Sequence, residues 1–96
     1  MVTVMRIRRS KRFLRSFDKL PHEVRLLFAD KIYQFLDVWK HPSFRTKRIK
    51  GTETVWEASL NMSIRFTFKF SKDPDGTVVC ILLNIGDHDH VLRPPY

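Results

Sequence analysis

The sequence predicts an α+β fold with the element order β-α-α-β-β-β, a mainly antiparallel twisted sheet carrying an N-terminal helical hairpin on one face. Three observations lead there. Apolar residues recur at helical spacing between Ser10 and Trp39. From Thr54 onward the period changes to two. Asp73-Pro74-Asp75-Gly76 then divides two apolar runs with a strong turn signal, proline fixing φ and glycine supplying a positive φ. Helices followed by a run of strands satisfy the layer rules for an α+β domain.

Each element has its local reason. Val2, Val4, Met5 and Ile7 alternate and form a first strand. Ser10 can cap a helix with its hydroxyl, and Phe13, Leu14 and Phe17 give that helix a short apolar stripe. Leu20-Pro21 ends it, since the residue before proline disfavours the α region. Pro21 then opens a longer helix, with Glu23 in the first turn where a carboxylate suits the positive dipole end. Val24, Leu27, Phe28, Ile32, Phe35, Leu36 and Trp39 form its broad apolar face, and Lys40-His41-Pro42 stops it. With only a couple of residues between them, the two helices are expected to form an antiparallel hairpin.

Residues 41–53 read as a basic loop anchored by Ile49. Val55–Leu60 is a strand and Asn61-Met62-Ser63 a tight connection or the start of the next strand. Ile64, Phe66, Phe68 and Phe70 face one side of the next strand, Arg65, Thr67 and Lys69 the other. Residues 77–85 are nearly all apolar, as in a central strand covered on both faces. Gly86-Asp87-His88-Asp89-His90 breaks it, and Pro94-Pro95 extends the tail.

Composition narrows the function. Ninety-six residues are expected to make one domain with a small core, burying about 60–65% of the unfolded surface. Hydrophobic residues are 43% and charged residues 29%, too apolar for a disordered chain. The net charge is +8. Residues 1–50 hold fourteen Lys and Arg against four acids, and residues 51–96 hold four against six. Such a cationic half points to a polyanion or an acidic protein partner. A lone cysteine, Cys80, permits neither an internal disulfide nor a CxxC metal pair. No run approaches a transmembrane helix, and the N-terminus lacks the apolar stretch of a signal peptide, so a cytoplasmic protein with no membrane partner is expected.

Three groups could carry chemistry. Arg65 projects a planar cation suited to phosphate oxygens, or is simply a solvated strand residue. Arg45, Lys47, Arg48 and Lys50 put four cations in six positions, enough to neutralise several phosphates, or merely to solubilise a loop. Asp87-His88-Asp89-His90 offers histidines able to move protons near neutral pH, or forms a plain polar turn. His and Asp also ligate metals, but no further His/Cys cluster accompanies them, and neither a metal nor a cofactor is expected. Glu57 could act as a base or pair with a cation. No GxGxxG or GxxxxGK[ST] nucleotide cradle is present.

Taken in order, Leu20-Pro21, Ile49-Lys50-Gly51, Trp56-Glu57, Ile64-Arg65-Phe66 and Ile85-Gly86-Asp87-His88-Asp89 resemble the RelE/ParE superfamily of toxins from bacterial type II toxin–antitoxin modules. The resemblance covers nearly the whole chain. RelE-like members cleave mRNA in the ribosomal A site, whereas ParE-like members share the fold and inhibit DNA gyrase. The resemblance therefore implies a metal-independent mRNA endonuclease in which the 2′-hydroxyl attacks the adjacent phosphate. Arg65 matches the family's strand arginine and would clamp that phosphate. His88 falls at the C-terminal catalytic position and would be the general acid. Glu57 would be the general base, as in members that use a carboxylate. Lys47 and Lys50 match the basic loop and, with Arg45, Arg48 and His90, would hold RNA. Implied partners are a cognate antitoxin, the ribosome and mRNA, with operator DNA reached only through the antitoxin. The sequence departs from the family at two places. Ser59 stands where many members carry a second arginine, and Val91-Leu92 where a tyrosine usually follows, leaving Tyr96 as its substitute from further along. A gyrase inhibitor and an inactive relative are the alternatives.

Overall fold

The computed structural model describes residues 5–96. The valines at positions 2 and 4 of the expected first strand lie outside them. Five strands form one sheet in the order β1-β5-β4-β3-β2. They are β1 (Met5–Arg9), β2 (Lys47–Arg48), β3 (Trp56–Ser59), β4 (Ile64–Lys72) and β5 (Val78–Asp87). Helices α1 (Lys11–Asp18) and α2 (His22–Val38) separate β1 from β2, and a short α3 (His88–Val91) follows β5.

The α+β class is as expected, but the element order is corrected at two places. Lys47–Arg48 in the basic loop pairs with Trp56–Glu57 as a two-residue strand. Gly86 does not break β5, which runs on to Asp87 before a single turn of helix. Asp87 starts that turn by accepting a hydrogen bond from the His90 amide at 2.8 Å. The sheet is mainly antiparallel, with one parallel pair, β1 beside β5. That pair leaves β5 hydrogen-bonded along both edges, which accounts for its unbroken apolar run.

Local chemistry builds the helices as the sequence indicates. Ser10 Oγ caps α1 by accepting from the Phe13 amide at 3.0 Å. Pro21 is the residue just before α2 rather than inside its first turn. Phe13 stacks on Phe17 and meets Phe28, and Phe28 and Phe35 stand edge-on to Phe66 at 5.6 and 5.0 Å. Phe66, Phe68 and Phe70 line up on this face as alternation requires, although β4 and β5 shift register between Thr67 and Phe68. Edge-to-face rings at these separations add about 0.5–1.5 kcal/mol per pair beyond their burial.

The turn at residues 73–76 closes with Gly76 N–H donating to Asp73 O at 2.9 Å, glycine taking φ +85°. Its acids hold β1: Arg6 bonds Asp73 at 2.9 Å and Asp75 at 3.5 Å, and Arg8 reaches Asp73 at 3.3 Å. Part of the N-terminal cationic cluster is thereby neutralised within the fold.

Cys80 is wholly buried in β5, and burial pushes its thiol from 9.0 up to about 12. A group whose pKa is higher folded than unfolded contributes stability that is complete below the unfolded value and lost as pH rises toward the folded one. The urea midpoint of the native chain is therefore expected to fall more steeply than that of Cys80→Ala between about pH 9 and about pH 12. Parallel profiles would contradict this.

Candidate phosphate-binding and proton-transfer site

The face of the sheet opposite the phenylalanines carries the polar side chains, and the strand register decides which of them meet. Lys47 stands opposite Glu57, Glu57 opposite Thr67, and Thr67 opposite Asn84. In the next row Ser59 is opposite Arg65 and Arg65 opposite Gly86. Glu57 and Arg65 are thus diagonal neighbours, a relation that spans roughly 7–8 Å. His88 follows Gly86 by two residues and begins α3. Lys47, Glu57 and Arg65 therefore run as a diagonal across the polar face from the β2 edge toward Gly86, with His88 starting the helical turn just beyond it.

Their environments differ. The Arg65 guanidinium is half-buried and donates from Nη1 to the carbonyls of Asn61 and Met62 at 3.1 and 3.4 Å. Those carbonyls belong to the β3–β4 connection, which is itself fixed by Asn61 Oδ1 accepting from the Ser63 and Ile64 amides. Glu57 is 7% exposed and makes no ion pair within 4 Å among the described residues. Thr67 is fully buried and its hydroxyl has no hydrogen-bond partner among the described residues. His88 is open to solvent, with Nδ1 3.5 Å from the Asp89 carboxylate. A nearly buried carboxylate, a tethered guanidinium and an exposed imidazole are groups suited to taking a proton, holding an anion and giving a proton. Among the described residues, no three His, Cys, Asp or Glu side chains gather as a metal-holding group.

The basic loop is split by its short strand. Lys47 shares the polar face with Glu57, while Arg48 turns to the helix face and lies 4.8 Å from the Trp56 ring. Trp56 in turn meets Trp39 edge-on at 5.2 Å. Arg45 is exposed, adopts φ +48° and ends a 3-10 turn at Pro42–Phe44 whose Phe44 is buried against Phe35. Ile49 tucks inward as expected, its amide donating to Val55 O at 2.8 Å, and leaves Lys50 exposed beyond it.

The last helical turn covers part of the polar face. The His90 ring lies over Gly86, where a Cβ would stand 2.7 Å from His90 Cδ2. Its Nε2 is 3.4 Å from Ser16 Oγ and 3.5 Å from Asn84 Nδ2. Sequence reasoning left Ser16, Asn84 and Thr67 out of the site. Ser16 reaches it only because α1 packs beside β5, which no local pattern encodes. An aspartate three residues before His90 is the cap signal that marks α3.

No protein-family model matches the chain, and no curated protein matches it in sequence. Solved structures do match in fold. The toxin of the E. coli DinJ-YafQ toxin–antitoxin complex is 9% identical with a TM-score of 0.69, covering 94% of this chain and 100% of that one. A copper-bound mutant toxin from Helicobacter pylori is 20% identical at 0.64, covering 91% and 98%. The isolated E. coli RelE toxin is 19% identical at 0.64, covering 94% and 87%. The chain thus has the fold of RelE, YoeB and YafQ toxins, whose structures are in several cases complexes with an antitoxin.

Gly86→Ala is expected to swing the His90 ring away from the sheet, because the ring is the movable partner. The stability cost should be about 1 kcal/mol by urea unfolding, at the low end for overpacking. Unshifted His90 ring resonances in NMR spectra would show that the contact does not hold the imidazole.

Proposed function

We propose that this chain is the toxin of a type II toxin–antitoxin pair and cleaves mRNA on the ribosome. The reading is supported by the polar row in which Lys47 stands opposite Glu57 and Arg65 lies diagonal to it, with His88 two residues beyond Gly86, in a fold shared with RelE and YafQ. In the proposed reaction the RNA 2′-hydroxyl attacks the neighbouring phosphorus. Glu57 takes the hydroxyl proton and Arg65 holds the phosphoryl oxygens as negative charge develops. The bond from phosphorus to the 5′-oxygen breaks, and His88 gives that oxygen its proton. The products are a 2′,3′-cyclic phosphate and a 5′-hydroxyl, and the sequence of steps needs no metal. Arg45, Lys47 and Lys50 contact the RNA backbone from the basic loop. Arg48, stacked on Trp56, serves by fixing that loop, and His90 contacts RNA beside His88.

The proposed partner is an acidic, amphipathic antitoxin. A cavity of about 260 Å³ between α1 and α2, bordered by Arg9, Leu14, Ala29 and Tyr33, suits an apolar side chain of such a segment. Tyr33 is 73% exposed and Leu26 57%, an apolar strip on α2 that a +8 chain would cover with an anionic partner. Among the described residues no helix is long and apolar enough to cross a membrane.

The second reading, an inactive relative, is favoured by Ser59 standing beside Arg65 where many members of the family carry a second arginine. Induction without antitoxin, followed by primer-extension mapping of mRNA ends in a translation extract, separates the two. Cut messages are expected, and Arg65→Ala and His88→Ala should each lower cleavage about 10²-fold or more and relieve growth arrest. Intact messages with lost DNA supercoiling would replace the reading by gyrase inhibition. Normal growth on strong induction would make the chain an inactive relative.

A further inference from the structure

The outward face of α1 and α2 presents its charges in a fixed order. Between the helices lies the cavity of about 260 Å³, bordered by Leu14 on one side and by Ala29 and Tyr33 on the other. Residues 1–50 contain four acids, and three of them, Glu23, Asp30 and Asp37, recur at seven-residue spacing on α2. At roughly 3.6 residues per turn they form one exposed row, turned about 40–80° beyond Tyr33 on the side away from the cavity. Across the cavity, Lys11 and Arg15 are exposed about 60–100° beyond Leu14, and Arg9 stands at the rim. Asp18 is the one acid on that side. Among the described residues, none of these acids and cations is engaged in an ion pair. We propose that this face is the interface of a homodimer, with a second copy of the chain seated on it about a two-fold axis running along the cavity.

Charge complementarity selects the occupant. Exposed Leu14, Leu26 and Tyr33 form an apolar strip between the two charged rows, and apolar surface rimmed by charge marks a docking face. An anionic segment meets the cationic row alone. A partner that meets both rows must carry the two signs in the reverse order, and the same face given a half-turn about an axis along the cavity has that order. α1 of each copy then lies over α2 of the other, with cations over Glu23, Asp30 and Asp37. Such a contact is isologous, so each pairing occurs twice and the assembly closes at two copies. Tyr33 of each copy lies over Leu14 and the cavity of the other, an amphipathic ring of the kind that anchors interfaces. One side of a 17-residue and an 8-residue helix is a small contact, in the range under about 1,200 Å² where association is weak and reversible. The inference does not depend on RNA cleavage. The antitoxin segment proposed above competes for the same cavity, so the pairing belongs to the chain without its antitoxin.

The test is sedimentation velocity of the full-length chain from about 1 μM to about 1 mM. The weight-average mass is expected to rise from that of one 11.5 kDa chain toward twice that value. Tyr33→Ala should weaken the association at least tenfold. Two charge-reversed chains test the order of the rows. Asp30→Lys with Asp37→Lys reverses the acidic row, and Lys11→Glu with Arg15→Glu reverses the cationic one; all four positions are exposed, and circular dichroism identical to the native chain's shows each variant folded. Each reversed chain alone should stay monomeric over this range. Their mixture should pair at least as tightly as the native chain, although both remain net cationic. A native chain that stays monomeric overturns the homodimer and leaves the face to the antitoxin alone. Pairing that survives Tyr33→Ala and either reversal, or reversed chains that fail to pair with each other, overturns the proposed face.

Discussion

Six of the ten residues of β5 are buried and only Asp87 is exposed, so their amides and carbonyls must find partners within the fold. Each one left unpaired would cost about 1–3 kcal/mol. β4 supplies one edge in antiparallel register and β1 the other in parallel, but β1 ends at Arg9 opposite Leu82. Ser10 then takes over, donating from its amide to Leu82 O at 3.0 Å and from its hydroxyl to Leu83 O at 2.9 Å while capping α1. One serine thus both continues the edge of β5 and starts the helix that runs beside its far half. Because of this hand-over, Ser16 and Lys19 arrive next to the residues that follow β5. The same strand carries its C-terminus to the beginning of β4, so Arg65 comes to lie opposite Gly86, two residues before His88.

Separation of the two sheet faces makes the rest follow. The phenylalanine face is sealed by α1 and α2, and its rings interlock at 5.0–5.9 Å between Phe28, Phe35, Phe66 and Phe68. Polar side chains are left to the other face, where Thr67 and Asn84 are buried and Glu57 nearly so. The +8 charge is likewise sorted. Arg6 and Arg8 are engaged with Asp73 and Asp75, Arg12 donates to the Pro95 carbonyl, and Arg48 is stacked on Trp56. Lys47, Lys50 and Arg45 stay exposed around the basic loop, and these carry the long-range attraction for a polyanion.

Much of this architecture is legible in the residues. The Ser10 cap, the Asn61 connection, the turn at Asp73–Gly76 and the alternation through Phe66 and Phe68 each arise from chemistry within a few residues, and each forms as its pattern indicates. What escaped depends on distant pairing. Lys47–Arg48 is too short and too charged to show strand periodicity and becomes a strand only because Trp56 and Glu57 lie beside it. The parallel union of residues 5–9 with 78–82 leaves no local trace. The α3 turn did leave one, the Asp87 cap, but the preceding glycine reads more strongly as a terminator. For the candidate site, residue types were visible while their faces were not. Arg48 and Lys47 are adjacent in sequence, yet the pleat sends them to opposite sides, one to an indole and one to the polar row.

In the free chain the Arg65 guanidinium is held by the carbonyls of Asn61 and Met62, so binding a phosphate requires it to exchange those partners or to share them. Catalytic hydrogen bonds commonly tighten only when the substrate is bound. The direct measurement is the structure of this protein on a ribosome whose mRNA carries a 2′-deoxy residue at the cut position, which stops the reaction. The account predicts the Arg65 guanidinium and the His88 imidazole each within about 3 Å of one phosphate group. A phosphate held by the basic loop alone, with His88 turned to solvent and Arg65 still on its carbonyls, would contradict it.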